Sequence, residues 1–172
     1  MKIINLHSNE KKLIAQAIDQ NRSAQQQLYN KFSPKMLSVC RQYISDVHQA
    51  EDLMITAFMK VFVNLEKFEY KGSFEGWIRR IMVNECISYL RVHKPVKFVE
   101  DQHFIEEQVI ESNCELTLEQ LQQLIDDLPT GYKMVFNLYV IDGYKHREIA
   151  EMLQINEGTS KSQLAQARKI LQ

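Results

Sequence analysis

Turn-forming residues are scarce in this chain. Five glycines and three prolines in 172 residues leave too few tight turns for a many-stranded sheet and favour long helices. Cys40, Cys86 and Cys114 lie far apart, with no C-x-x-C pair and no histidine at ligand spacing. A structural zinc site or a disulfide framework is therefore not expected, and the thiols read as reduced, some of them buried. No apolar run approaches the ~20 residues of a membrane span. Met1 to Leu6 gives way at once to polar residues and carries no signal-peptide core, so the expected location is cytoplasmic. There is no phosphate loop, nucleophile elbow or metal-ligand cluster. His7, His48, His93, His103 and His146 are scattered. An enzyme, a cofactor, a metal and a small-molecule substrate are accordingly not expected.

The chain does have strongly segregated charge. Residues 71–97 carry six basic side chains against two acidic ones, and residues 98–127 carry nine acidic and no basic ones. Residues 129–172 return to six basic against four acidic. Two mildly basic segments flanking an acidic one suggest two binding domains and a linker. The linker's acid reads either as a plain solvated spacer or as a mimic of nucleic acid.

Helical periodicity dominates the rest. Leu13, Ile14, Ala17 and Ile18 share one face of a helix that Asn9 could cap. Ser23 is the expected cap of a second helix burying Leu28 and Phe32. Ser33-Pro34 then reads as a cap and first turn of a third, with Met36, Leu37, Cys40, Tyr43 and Ile44 on one side. Asp46 opens a long amphipathic stretch to about Phe68, a short loop covers residues 69–73, and Ser73 caps a helix from Phe74 to about Arg91. Pro95 ends the first domain. Thr117 caps a helix that Pro129 ends, and Thr130 caps another that Gly143 ends. Two short helices follow, joined around Gln154-Ile155-Asn156. The expected fold is all-α: a helical domain over 1–95, an acidic linker over 96–115, and a helix-turn-helix domain over 116–172.

The last two helices carry the strongest local pattern. Ile149, Ala150 and Leu153 form an inner face, Ile155 plugs the turn, and Asn156 can cap the second helix. On a wheel of ~100° per residue, Ser160, Leu164, Ala167 and Leu171 turn inward, while Thr159, Ser162, Gln166 and Lys169 turn outward. Gly158 and Ala165 lie outward too, and Lys161 and Arg168 share a flank. Small and hydrogen-bonding residues flanked by cations suit a major groove, where glutamine pairs with adenine and lysine with guanine or phosphate. A solvated helical hairpin with no DNA role is the other reading of the same pattern. His146 reads as a phosphate contact or a plain surface histidine.

The helix from Phe74 gives a second surface. Arg80, Asn84, Ser88 and Arg91 fall within roughly 80° of arc, bordered by Trp77 and Ile81, while Arg79 points nearly the other way. Two guanidinium groups, an amide, a hydroxyl and a ring on one stripe can hold a phosphate backbone and unstacked bases. Alternatively Trp77 is core and the arginines are solvated. Asn84 favours a function, because an asparagine inside a helix costs stability.

Two blocks, QAEDLMITAFMKVFVNLEKF…GSFEGWIRRIMVNECISYLR and LPTGYKMVFNLYVIDGYKHREIAEMLQINEGTSKSQLAQARKIL, together resemble the extracytoplasmic-function group of bacterial RNA polymerase sigma factors, over about residues 20–95 and 116–172. The resemblance implies a protein that binds core RNA polymerase, guides it to promoter DNA and helps melt it, held off in turn by an anti-sigma factor. It implies polymerase contacts at Asp52, Leu53 and Phe58. It implies minus-ten contacts from Phe68, Tyr70, Lys71 and Ser73, which match the loop that accepts an extruded base, and from Asn84 and Ser88; the wheel adds Trp77, Arg80 and Arg91 to that expected surface. It matches Lys161, Ser162 and Arg168 to the minus-thirty-five reading helix, and with His146, Arg147, Thr159, Gln163, Gln166 and Lys169 of the same motif these make the expected minus-thirty-five set. Departures stand at Ile55 and Thr56, where the family often has a glutamine and an acid, at Ser160 for a common valine, and at Gln154 for a common glycine. Gln163 and Gln166 replace frequent arginines, which implies an altered minus-thirty-five preference. The basic tail often seen in the family is short here. A helix-turn-helix regulator acting on an operator, or an inactive sigma-like adaptor, are the alternatives.

Overall fold

A computed structural model describes residues 4–93 and 117–171; the linker expected over 96–115, Pro95, Cys114 and His103 lie outside them. Eight α-helices and no strand occur among the described residues. They are α1 (Ile4–Ile18), α2 (Arg22–Tyr43), α3 (Val47–Val63), α4 (Phe74–His93), α5 (Leu118–Asp126), α6 (Thr130–Phe136), α7 (His146–Leu153) and α8 (Glu157–Leu171). The chain divides into two compact units between Cys86 and Ile87, within α4.

In the first unit, α1 and α3 both pack against α2. Two sequence-predicted helices prove to be one. α2 runs through Pro34 without ending, although a proline inside a helix removes a hydrogen bond and costs about 3 kcal/mol. Packing outweighs that cost. Leu28, Phe32, Met36, Val39, Cys40 and Tyr43 continue one helical stripe across the proline, and all are buried. The cap of α2 is Asn21, whose Oδ1 accepts from Ala24 N at 3.0 Å, and Ser23 lies inside the helix. Asn9 likewise lies inside α1.

Asp46 caps α3 as expected, its Oδ1 accepting from Gln49 N at 2.8 Å. α3 stops at Val63, five residues short of the predicted end, and a 3-10 turn at Leu65–Lys67 leads to Phe68. Ser73 starts α4, its Oγ accepting from Gly76 N at 3.0 Å. Edge-on ring contacts tie α2 to its neighbours: Tyr29 meets Phe58 at 4.9 Å and Phe32 meets Phe74 at 5.5 Å. Lys60 on α3 pairs with Glu85 on α4.

In the second unit, Thr117 opens α5 with a reciprocal cap. Its Oγ1 accepts from Gln120 N at 3.3 Å, and its own N–H donates to Gln120 Oε1 at 2.9 Å. Thr130 is the first residue of α6, which follows Pro129, and is not its cap. The buried ammonium of Lys133 pairs with Asp126, joining α6 to α5. α6 widens into a π-helical turn over Asn137–Ile141 before Gly143 reverses the chain at φ 75°. α7 and α8 pack together, and α8 also packs on α6. The turn between α7 and α8 carries Gln154 in the left-handed region, at φ 57° and ψ 46°, where a non-glycine residue costs about 1 kcal/mol.

Candidate nucleic-acid interface

α4 presents the clearest candidate surface. Its inner positions Ile78, Met82, Val83, Cys86, Ile87 and Leu90 are buried. That fixes the rotation of the helix and leaves Arg80, Asn84, Ser88 and Arg91 together on the exposed side. Trp77 and Ile81 are half-buried at its border, so Trp77 is neither wholly core nor free. Arg79 turns away as expected and donates to Gln42 Oε1 on α2 at 3.3 Å.

The loop before α4 adds an aromatic cluster. Phe68 lies buried at its centre, with ring centroids 4.8 Å from Tyr70, 5.2 Å from Phe74 and 5.6 Å from Trp77. Trp77 and Phe74 stack at 5.8 Å. Tyr70 is exposed and held at φ 57°, a strained conformation for a bulky residue. The ammonium of Lys11 lies 5.7 Å from its ring centroid. Lys71 is exposed and pairs with Glu69 at 2.5 Å. Of the loop residues the sequence nominated, Tyr70, Lys71 and Ser73 face solvent. Phe68 supports them from beneath.

On α3 the expected orientations need correction. Asp52 is exposed, but Leu53 and Phe58 are core residues, 7% and 3% exposed. Phe58 is committed to Tyr29 and to Phe62, whose ring lies 6.1 Å away. The surface beside Asp52 is instead apolar: Ile55, Met59 and Val63, at spacing four, are 48%, 66% and 81% exposed. Met59 and Val63 went unnominated. Their signal was available, since apolar residues at 55, 59 and 63 extend the hydrophobic arc of α3 beyond what one packed face can cover.

The helix-turn-helix also differs in detail. Ser160, Leu164 and Ala167 are buried as expected. Thr159 and Gln163, expected to face outward or toward DNA, are buried as well. α8 packs against two helices, so its buried arc spans about 140° of the wheel, wider than one neighbour requires. The exposed side carries Gly158, Lys161, Ala165, Arg168 and Lys169, with Ser162 and Gln166 half-buried beside them. Ser162 Oγ donates to Thr159 O at 3.0 Å. Lys161 pairs with Glu157 at 2.8 Å and holds that carboxyl below its usual range. Arg147, exposed on α7, lies 3.6 Å from Glu151.

His146 is half-buried and built into the motif. Its ring stacks on Tyr139 at 4.5 Å, and Nδ1 lies 2.9 Å from Ser160 Oγ, joining the first turns of α7 and α8. Burial, and then the Lys161 charge, push its pKa below the ordinary 6.5. The Tyr139 and Ser160 contacts hold the ring between the π-helical turn and α8.

Comparison with known proteins agrees with this arrangement of parts. Residues 28–95 match the family model for sigma-70 region 2, and residues 118–171 match that for sigma-70, region 4. The ECF RNA polymerase sigma factor SigW of Bacillus subtilis is 28% identical over 175 residues, covering 94% of both chains. The RNA polymerase sigma-H factor of Pseudomonas aeruginosa is 26% identical, covering 82% of this chain and 80% of that one. Among solved structures, the sigma factor RpoE of Bartonella quintana, crystallised with the anti-sigma factor NepR, has the same fold. It is 24% identical with a TM-score of 0.54, over 86% of this chain and 93% of that one. With matching region 2 and region 4 segments in that order along one chain, and full-length relatives from the same group, this protein belongs to the extracytoplasmic-function group of the sigma-70 family.

Proposed function

We propose that this protein is a cytoplasmic, non-enzymatic sigma factor that binds core RNA polymerase, directs it to specific promoters and promotes DNA opening. The exposed stripe of Arg80, Asn84, Ser88 and Arg91 on α4, adjoining the Phe68–Tyr70–Trp77 cluster, carries the reading. Guanidinium groups neutralise phosphate, while the amide and hydroxyl bond base edges and the aromatic face takes a stacked base. Such a surface favours unpaired DNA over duplex. Extruding a base costs a few kcal/mol, which a pocket and stacking offset without ATP.

Residues 1–95 form the polymerase and minus-ten domain, 96–115 an acidic linker, and 116–172 the minus-thirty-five domain. The polymerase contact uses Asp52 with Ile55, Met59 and Val63, while Leu53 and Phe58 hold α3 in place. The minus-thirty-five contact uses Arg147, Lys161, Ser162, Gln166, Arg168 and Lys169. Thr159, Gln163 and His146 shape the helix-turn-helix from inside. Tethering both domains to polymerase raises the effective concentration of each at its element. A protein that covers these surfaces, as an anti-sigma factor would, silences the chain.

The test is binding to bacterial core RNA polymerase, followed by transcription from a template with a pre-melted minus-ten region. Tight binding and start-site-specific transcripts are expected. Failure to bind core, with direct binding to a duplex operator, would overturn the reading.

A further inference from the structure

A cation from the first helix reaches the aromatic cluster before α4. Burial of Ile14 and Ala17 fixes the rotation of α1. Lys11 precedes Ile14 by one helical turn and so lies at the border of that packed face. α1 also packs against the 3-10 turn at Leu65–Lys67, which brings this border to the loop that follows. The Lys11 ammonium lies 5.7 Å from the centroid of the Tyr70 ring. Tyr70 is the most exposed ring of the cluster, tilted against Phe68 at 4.8 Å and held at φ 57°. Such strain persists only where the surroundings impose it, and it marks functional sites.

Other lysines nearby are already balanced. Lys71 pairs with Glu69, Lys35 with Glu75, and Lys31 with Glu10, each at 2.5 Å. Among the described residues no carboxylate pairs with Lys11, and its contact is the ring.

We propose, resting on the assignment of unpaired DNA to α4 and its preceding loop, that Lys11 is a further DNA-binding residue: it neutralises a backbone phosphate of the melted minus-ten strand at the nucleotide stacked on Tyr70. Rings hold unpaired bases by stacking, and a cation beside them holds the backbone that joins those bases. The ring's π face keeps the ammonium beside the loop in the free chain. An arriving phosphate then displaces a weak ring contact, with no carboxylate to compete for the charge. Phosphate contacts position a strand without reading its bases, so the contribution of Lys11 is the same for every sequence placed there.

The experiment assembles the full chain with core RNA polymerase. It measures affinity, across salt concentrations, for a fluorescent fork template whose non-template strand is unpaired over the minus-ten region. Lys11→Met keeps the apolar stem and removes the charge. It should weaken binding about fivefold near 0.1 M salt and lower the slope of log affinity against log salt by about 0.7, the value for one phosphate on a single strand. Lys11→Arg should retain both, and Lys12→Met, at the next exposed position of α1, should match the parent chain. Lys11 is exposed, so the thermal midpoint of Lys11→Met should stay within about 3 °C of the parent's. Phosphates of the unpaired strand are then replaced one at a time by uncharged methylphosphonates. At one position Lys11→Met should cause no further loss. An unchanged salt slope overturns the proposal, as does an equal loss from Lys11→Met at every methylphosphonate position, which would reduce Lys11 to a prop for Tyr70. If Asn84→Ala weakens binding and Lys11→Met does not, Lys11 alone is withdrawn and the α4 assignment stands. If the parent holoenzyme shows no preference for the unpaired strand over a paired one, both fall.

Discussion

Replacing Asn84 and Ser88 together by alanine should move stability and function in opposite directions. Both side chains are exposed in mid-helix on α4, so their removal leaves no cavity. Alanine is the better helix former at both positions, and the double variant should gain about 1 kcal/mol in stability. Its thermal unfolding midpoint should rise. If the two side chains bond the melted strand, each lost hydrogen bond costs about 1–1.5 kcal/mol at the open complex. A combined loss of about 2–3 kcal/mol corresponds to roughly 30- to 150-fold less promoter opening. The assay is permanganate reactivity of minus-ten thymines at equal occupancy of core polymerase, with core affinity measured separately. Opening within twofold of the parent protein, at unchanged core affinity, would refute the assignment of the stripe. Reduced core affinity would place these residues on the polymerase instead.

Met59→Lys should leave folding within about 0.5 kcal/mol, because the side chain is 66% exposed, yet weaken core binding at least about tenfold as measured by fluorescence anisotropy. Leu53→Ala should instead destabilise the first unit by about 2–4 kcal/mol in urea denaturation, since Leu53 is core. Gln154→Gly should stabilise the second unit by about 0.5–1 kcal/mol, by relieving a left-handed residue at φ 57°. The His146 pKa is depressed in the folded chain, so the unfolded chain binds more protons as pH falls below 6.5. That portion of stability is lost on acidification through this window and is fully present above it. Chemical denaturation between pH 5 and pH 8 should show a slope that His146→Gln reduces; an unchanged slope would remove His146 as its source.

Local chemistry made several features legible without coordinates. Asp46, Ser73 and Thr117 are helix starts because a side-chain oxygen two or three bonds from Cα caps the first free N–H groups wherever the chain goes next. The α4 stripe was legible for a related reason. Its polar and apolar positions separate so sharply that only one rotation of the helix buries the apolar set. The turn before α8 was also visible, including the cost of a non-glycine at Gln154. Tertiary packing decided the rest. Pro34 reads as a helix start until the stripe running through it finds α1 and α3 to bury against. On α3 the wheel already sets Leu53 and Phe58 with Ala57, Val61 and Leu65 on one arc and Ile55, Met59 and Val63 on the opposite one; the burial of the first arc against α2 leaves the second exposed. Thr159 and Gln163 are buried because α8 has two neighbours, a number that the wheel of one helix does not contain. A sequence reports the periodicity of each helix, but which arc is covered depends on how many partners share the surface, and that is a property of the assembled core.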